Sequence, residues 1–180
     1  MRTLHILTAC SRPDGIKNVL AALSLAALIP EHWFLIRWHI AFQNHAQPDP
    51  HGAVKDNELM DLIPGDDWIW ILDDDNAIHP AFFAALWKAW SDYPEKDAIV
   101  FSQNRRDGLG PVLPAGPENM RKGRVDTAQL VFKKSLIGPK RMRVDHRMCD
   151  GIFYEDLYES SPSAFAFIPD PVTNFNWQKT

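Results

Sequence analysis

The chain has 180 residues, of which 46% are apolar and 23% are charged, and its formal net charge is −4. This length and apolar content suit one globular domain with a sizeable core, whereas two complete domains would be cramped. The N-terminus has no signal-type pattern and the longest apolar run, residues 19–30, is too short to span a bilayer. We therefore expect a single domain over residues 1–180, in the cytoplasm, without a transmembrane segment.

The first half of the chain predicts strands and helices in alternation. A short apolar run at residues 3–10 predicts a buried strand, and a turn with Pro and Gly leads from it into a helix that stops at Pro30. Residues 33–42 predict a second strand, and after a polar loop residues 53–63 predict a helix that ends before a Pro-Gly pair. Residues 68–72 predict a third strand, which is entirely apolar.

The second half continues the alternation around one long loop. Pro80 suits the first turn of a helix whose apolar residues form one stripe, so we expect that helix to be packed. Residues 104–123 contain many Gly and Pro and predict a binding loop or lid with few packed contacts. The other predicted elements are strands at residues 97–102, 124–132 and 165–168, a helical turn at 133–138 and a helix at 150–159. This order favours an α/β fold with a mainly parallel central sheet flanked by helices, which binds ligands at the carboxyl ends of its strands.

Three consecutive carboxylates follow the predicted apolar strand. Asp73, Asp74 and Asp75 each carry a desolvation cost unless a cation, a hydrogen-bond donor or water offsets it. Carboxylate oxygens suit Mg²⁺ or Mn²⁺, and such an ion normally completes its shell with water and substrate phosphates. The triplet therefore predicts a divalent metal and a nucleotide diphosphate, and the plain alternative is an acidic turn with solvated side chains.

Residues 121–147 contain nine basic and two acidic residues. This segment therefore has a net charge of +7, and the rest of the chain has a net charge of −11. Such a field suits a diphosphate-bearing substrate or an anionic acceptor, and a solvated surface is the plain alternative. Nucleic acid is not expected as a partner, because the whole chain is acidic and the basic run lacks interleaved aromatic residues. The nine residues are Arg121, Lys122, Arg124, Lys133, Lys134, Lys140, Arg141, Arg143 and Arg147.

Four pieces of sequence, in order, resemble the GT-A-fold glycosyltransferases, broadly of the family 2 type. They are residues 8–13 with the helix that follows, residues 56–59 running into 67–69, the Asp-Asp-Asp-Asn run at 73–76, and residues 124–132 followed by 150–153. The third piece is similar to the DxD motif, especially its form in the glucuronyltransferases of proteoglycan synthesis. The resemblance implies a GT-A fold and transfer of a sugar from a nucleotide-diphosphate donor, with a UDP-sugar favoured, to an unknown acceptor hydroxyl.

The resemblance and the residue types together suggest how the donor is bound. Mn²⁺ or Mg²⁺ would be the cofactor, with Asp73 and Asp75 as metal ligands and the ion bridging Asp75 and both phosphates. Asp73 would also lie near the ribose, and Asp74 would orient the site or coordinate through water. The remaining candidates for donor binding are Thr8, Cys10, Arg12, Asp14, Lys55 and Asn57. Relatives usually carry Arg before the Asn, where this chain has Asp56.

The candidate catalytic base is Asp150. An acceptor hydroxyl is a weak nucleophile, so an inverting reaction needs a carboxylate on the opposite face of the sugar to remove its proton. Glu155 and Asp156 are further candidates, although Glu155 is predicted on a different helix face from Asp150. The plain alternative for Asp150 is a helix N-cap, where Asp is strongly preferred.

Two functions of other classes fit the same pattern. A sugar-phosphate nucleotidyltransferase uses a similar layout and acidic metal site. Such an enzyme normally has a Gly-rich, basic motif after the first strand, which residues 11–15 match poorly. A non-catalytic nucleotide- or carbohydrate-binding module would keep the fold and lose the metal site or the base. Self-association into a homo-oligomer stays open. The two cysteines, Cys10 and Cys149, do not make a disulfide scaffold, so we expect free thiols.

Overall fold

The computed structural model describes residues 1–10, 15–30, 32–42, 52–105 and 113–175. Within these residues, seven strands form one sheet in the order β2-β1-β3-β6-β5-β7-β4. The strands are β1 (Arg2–Cys10), β2 (Phe34–Phe42), β3 (Trp68–Ile71), β4 (Ala77–Ile78), β5 (Ala98–Arg105), β6 (Leu130–Lys133) and β7 (Phe165–Phe175). The helices are α1 (Gly15–Ala26), α2 (Ala53–Asp61), α3 (Phe82–Asp92), α4 (Lys134–Ile137) and α5 (Cys149–Ser160).

Five of the seven described strands run in the same direction, so the predicted α/β fold with a mainly parallel sheet is confirmed. β1 pairs in parallel with β2 and β3, and β5 pairs in parallel with β7. β6 is antiparallel to both β3 and β5, and β4 is antiparallel to β7. Because β6 is reversed, the segment that leads into it lies at the same edge of the sheet as the carboxyl ends of β3 and β5.

The sheet has a hydrophobic core on each face. Side chains of β3 alternate between the two cores: Trp68 and Trp70 pack on one side, and Ile69 and Ile71 pack on the other. The first core contains α3, where Phe82 stacks on Trp70 with ring centroids 3.9 Å apart. The second core contains residues of α2 and α5. The expected packing of α3 is confirmed, and β3 is held between both layers.

The predicted strand at residues 124–132 is wrong over its first half. Residues Thr127–Gln129 form a 3₁₀ turn, and β6 begins only at Leu130. Asp126 caps this turn by accepting a hydrogen bond from the Ala128 N–H, while the side chain of Gln129 accepts one from the Asp126 N–H. This reciprocal capping box satisfies the backbone locally, so it competes successfully with the strand propensity of the sequence.

Two strands are longer than predicted, and one was missed. β5 and β7 continue beyond the predicted residues 102 and 168, and their pairing shifts register between Phe101 and Gln103. The shift lies opposite Pro169 and Pro171, which lack the N–H that a regular ladder requires. The two-residue strand β4 pairs with the end of β7. A strand this short gives no periodic signal in the sequence.

The expectation of a sparsely packed loop is wrong for residues 113–123. Leu113 forms an antiparallel bridge with Gln103, and its carbonyl also accepts a hydrogen bond from Gln129 Nε2 at 3.1 Å. The Ala115 N–H donates to Ser102 Oγ at 2.9 Å, and Met120 is buried. Residues 106–112, the rest of the proposed lid, lie outside the described residues.

Cys10 and Cys149 are both buried thiols that form no disulfide, as expected. Burial raises the pKa of the Cys149 thiol to about 11, and the neighbouring Asp150 carboxylate adds to this shift. The thiol therefore stays protonated at neutral pH and is a weak nucleophile. None of the helices in the described ranges has the length and apolar character needed to cross a bilayer.

A histidine pair links β1 and β2. His5 Nδ1 lies 2.8 Å from His39 Nε2, and His5 Nε2 lies 3.1 Å from the carboxylate of Asp67. The rings are stacked with centroids 5.1 Å apart. Burial lowers the pKa of His39, and the charges of His5 and Arg37 lower it further. The folded protein therefore favours the neutral form of this imidazole.

This pair predicts a loss of stability in mild acid. In the unfolded chain His39 is protonated below about pH 6.5, whereas in the folded protein its pKa is lower. The free energy of unfolding should therefore fall as the pH decreases from the unfolded pKa through the folded pKa. His39→Gln can still donate a hydrogen bond to His5 but does not titrate, so it should lose less stability over this pH range. Urea unfolding at several pH values measures both profiles. Parallel profiles would show that His39 does not contribute.

Candidate functional site

The acidic triplet forms a tight turn at the carboxyl end of β3. The Leu72 N–H donates to the carbonyl of Leu7 on β1, and the Asn76 N–H donates to the carbonyl of Asp73 at 3.1 Å. Asp74 and Asp75 are only 4% and 7% exposed, and Asp73 is partly exposed. The alternative of a solvated acidic turn is therefore wrong for Asp74 and Asp75, because both side chains are buried.

A fourth carboxylate, Asp126, joins the triplet from the 3₁₀ turn before β6. Its Oδ1 accepts hydrogen bonds from Asn76 Nδ2 at 3.3 Å, Gln103 Nε2 at 3.1 Å and the Ala128 N–H at 3.1 Å. Asp126 was not among the site residues predicted from the sequence. The Asp-x-x-Gln spacing of Asp126 and Gln129 is typical of a capping box, and it is the signal that could have placed Asp126 in a turn.

The carboxylates raise one another's pKa values. Burial raises the pKa of Asp73 well above its usual range, and the nearby charges of Asp126, Asp56 and Asp75 raise it further. The pKa of Asp126 is raised to about 6, mainly by burial, with a contribution from Asp150 and Asp75. A hydrogen bond from Thr127 Oγ1 to Asp73 Oδ2, at 2.8 Å, favours the charged form but does not cancel the shift.

These interactions bring together acids from four parts of the fold. The group, which we call the carboxylate cluster, consists of Asp56 on α2, Asp73 and Asp75 after β3, Asp126 before β6 and Asp150 on α5. Neighbouring like charges destabilise the ionised state of each carboxyl group. A bound cation would remove the penalty, and such shifted carboxyl groups are typical of functional sites.

Buried polar atoms beside the cluster lack partners among the described residues. Gln103 uses its amide nitrogen to hold Asp126, but its Oε1 has no hydrogen bond, and neither does the hydroxyl of Thr173, its neighbour on β7. The fully buried Tyr154 hydroxyl also has no hydrogen bond. Burial raises the pKa of Tyr154, and Asp150 is the first of the charges that add to it. Groups of this kind are rare in folded proteins and point to a ligand or water at the site.

Among the three candidate bases, only Asp150 belongs to the cluster. Its N-cap alternative is wrong, because Met148 occupies the N-cap of α5 and Asp150 lies in the first turn. Glu155 Oε2 accepts a hydrogen bond from the Lys122 N–H at 3.2 Å, and Asp156 is exposed. Asp150 is also one helical turn from Tyr154, so both side chains lie on the same face of α5.

Thr8 and Cys10 lie near the end of β1, at the same edge of the sheet as the cluster. Thr8 Oγ1 donates to the Leu72 carbonyl at 2.9 Å and accepts from Trp38 Nε1 at 3.0 Å. It therefore ties β1 to the base of the acidic turn and to β2. A donor-binding role for Thr8 and Cys10 stays a prediction.

The other candidates for donor binding make different contacts. Asn57 forms two 2.9 Å hydrogen bonds with the backbone of Met142, so its amide holds the segment before α5. Lys55 Nζ donates to Glu58 at 2.7 Å on the surface of α2. Arg12 and Asp14 lie outside the described residues. Donor contacts of these residues stay predictions.

The ligand chemistry fits a hard divalent cation. No three His, Cys, Asp or Glu side chains in the described ranges are already arranged as a metal shell. The cluster nevertheless offers the carboxylates of Asp73, Asp75 and Asp126, and the free Oε1 of Gln103 lies beside Asp126. Oxygen donors of this kind are the ligands that Mg²⁺ and Mn²⁺ prefer.

Solved structures with a similar fold include TarS of S. aureus. Superposition on TarS 1-349 gives a TM-score of 0.64 at 10% identity, covering 88% of this chain and 55% of that chain. A second TarS structure gives a TM-score of 0.71 at 10% identity, covering 97% of this chain and 36% of that chain. The chain has a GT-A-like fold. It thus spans about half or less of the TarS chains. No family model and no curated protein sequence matches it.

Asp126→Asn tests the cost of burying the Asp126 charge beside the other carboxylates. Asn keeps the acceptor oxygen for Asn76, Gln103 and Ala128 but removes the charge. The raised pKa of about 6 means that Asp126 stabilises the fold below its unfolded pKa and loses this contribution as the pH rises through about 6. We therefore expect the metal-free variant to be more stable than the wild type at neutral pH, by about 1–2 kcal/mol. Urea unfolding with a chelator measures this, and a destabilised variant would contradict it.

Proposed function

We propose that this chain is a metal-dependent glycosyltransferase domain, which moves a sugar from a nucleotide-diphosphate donor to an acceptor hydroxyl with inversion. The observation that carries the proposal is the carboxylate cluster at the carboxyl edge of the sheet, where α/β folds bind their ligands. The GT-A-like fold supports it, because the sequence resemblance links this fold to sugar transfer from nucleotide-diphosphate donors.

In this proposal the donor binds through its diphosphate. Asp73, Asp75 and Asp126 would hold Mn²⁺ or Mg²⁺, with Asp74 in the same turn orienting the site. The bound ion would neutralise the diphosphate and so improve it as a leaving group. Thr127 fixes the Asp73 carboxylate, which keeps the turn in place before the ligand arrives. A UDP-sugar is the favoured donor.

Asp150 would act on the acceptor side. Asp150 lies in the first turn of α5, which is a rigid element, and its charge contributes to the raised pKa of Asp126 in the cluster. A carboxylate in this position can remove the proton of the acceptor hydroxyl while that oxygen attacks the sugar. Glu155 is hydrogen-bonded to the chain at Lys122 and Asp156 faces solvent, so Asp150 is the preferred base.

The test is a thermal-shift screen of UDP, GDP, CDP and dTDP sugars, with and without Mn²⁺. Stabilisation that needs both sugar nucleotide and metal is expected, because the cluster binds the donor only after its repulsion is relieved. Slow metal-dependent hydrolysis of the stabilising donor should accompany it. Pyrophosphate release from a nucleoside triphosphate and a sugar phosphate would instead indicate a nucleotidyltransferase, and binding without hydrolysis of any donor would indicate a binding module.

A further inference from the structure

The basic run of residues 121–147 divides into two groups in the structure. The first group includes cations with an internal salt-bridge partner: Lys133 pairs with Asp97 at 2.6 Å, and Arg141 pairs with Asp61. Lys133 lies opposite Trp68, the first residue of β3, so it is at the edge of the sheet away from the carboxylate cluster. The second group surrounds the start of α5.

This second group, which we call the cationic rim, consists of Arg121, Lys122, Arg124 and Arg147. Arg121 and Arg124 belong to one turn, closed by a hydrogen bond from the Arg124 N–H to the Arg121 carbonyl at 2.9 Å. The turn packs closely against α5 at Gly151, where any larger residue would place its Cβ only 3.1 Å from Lys122 Cα. Gly151 follows the candidate base directly, so the rim borders the acceptor side of the site.

The rim is exposed and largely unneutralised. All four of its residues are exposed, and within the described ranges Arg121, Arg124 and Arg147 form no salt bridge or side-chain hydrogen bond. Glu155 borders the rim without pairing with its cationic groups, since its Oε2 accepts a hydrogen bond from the Lys122 backbone N–H.

One contact in the rim brings two donors together. The Met148 N–H donates to His146 Nδ1 at 3.0 Å, which puts the proton of the neutral ring on Nε2. That nitrogen faces Lys122 Nζ at 3.1 Å, and the ammonium group can only donate. Two donors that face each other are satisfied when an anion accepts from both.

We propose that the cationic rim is an oxyanion subsite for the acceptor, which carries a phosphate or a carboxylate close to the hydroxyl that is glycosylated. Arginine forks bind both oxyanions with two hydrogen bonds, and Lys122 with His146 supplies a second pair of donors. The inference rests on the proposed function, because Asp150 marks the acceptor side only if it is the base. The donor diphosphate has its own place at the carboxylate cluster, which leaves the rim for the other substrate.

Binding of small probes tests the subsite without any turnover. Phenyl phosphate and benzoate carry the two oxyanions, and benzyl alcohol is the neutral control; ligand-observed NMR at about 150 mM salt gives each affinity. We expect one or both anions to bind and the alcohol not to bind. The double variant Arg121→Ser, Arg124→Ser should weaken the anion about tenfold or more, because charge-assisted hydrogen bonds are lost. Arg37→Ser, Lys88→Ser removes the same charge from β2 and α3 and should bind like the wild type.

The competition experiment separates the two substrates. Probe binding should persist in the presence of saturating UDP and Mg²⁺, whereas displacement would show that the rim serves the donor and would overturn the proposal. Equal binding by the rim variant, with an unchanged melting temperature, would overturn it as well. Failure of the proposed function is distinguishable, since the donor screen would then show no metal-dependent sugar nucleotide binding while the probe experiment still reports on the rim.

Discussion

Asp75→Asn is expected to abolish Mn²⁺-dependent binding of the sugar nucleotide, weakening it by about a hundredfold or more, because a direct metal ligand is lost. The variant should stay folded. Asp75 is buried beside Asp73 and Asp126, and its charge raises their pKa values, so removing it relaxes the metal-free protein. Titration of UDP in the presence and absence of Mn²⁺, followed by the change in melting temperature, measures the effect.

Asp170→Asn is the matched control for this experiment. Asp170 is an exposed acid on β7, so the same substitution changes the net charge equally without touching the cluster. Its Mn²⁺ dependence should match that of the wild type. If Asp75→Asn kept a normal Mn²⁺ dependence, the metal assignment would be wrong and the acidic turn would have a purely structural role.

Asp150→Asn should reduce sugar transfer by about a hundredfold or more, with donor and metal affinity nearly intact, because the base acts only on the acceptor hydroxyl. Its loss should cost little stability. Asp150 is not the N-cap, so Asn gives up a favourable charge in the first turn of α5, worth about 0.3–1 kcal/mol, and relieves repulsion with Asp126. Initial rates with a donor and acceptor pair, alongside donor titrations, separate the two effects.

Asp156→Asn on the same helix is the control for Asp150→Asn. Asp156 is exposed, so its loss should leave the rate near the wild-type value. Full activity in Asp150→Asn, combined with a loss in Asp156→Asn or in Glu155→Gln, would transfer the role of base to that residue. Full activity in all three variants would refute an inverting mechanism that uses a base on α5.

The architecture could be predicted largely because the local patterns agree with the final packing. A continuous apolar run predicts the strand that precedes Asp73, and helical periodicity predicts the helix after Pro80; both are confirmed. The direction of β6 could not be predicted in this way. Strand direction depends on how distant elements pair, and the capping box at Asp126 interrupts a stretch whose composition otherwise suits a strand.

The candidate site was also predicted from the sequence only in part. Asp73, Asp75 and Asp150 were proposed from sequence, and the structure brings them into one cluster. Asp126 and Gln103 were missed, because nothing in their local sequence distinguishes a buried site residue from an ordinary polar one. Asn57 suits the family pattern, and its hydrogen bonds to the backbone of Met142 could not be predicted from the sequence; its role in donor binding stays a prediction.

The alternation of β3 sets a limit on how this chain can vary in length. Its indoles face one core and its isoleucines face the other, so the deletion of a single residue inside Trp68–Ile71 would turn the side chains on one side of the deletion toward the wrong core. The same deletion would draw Asp73 back into the sheet. Insertions near the surface loops change neither core. The spacing between the start of β3 and the acidic turn is therefore a fixed length in this fold, and a designer who grafts the site elsewhere must copy the strand together with the turn.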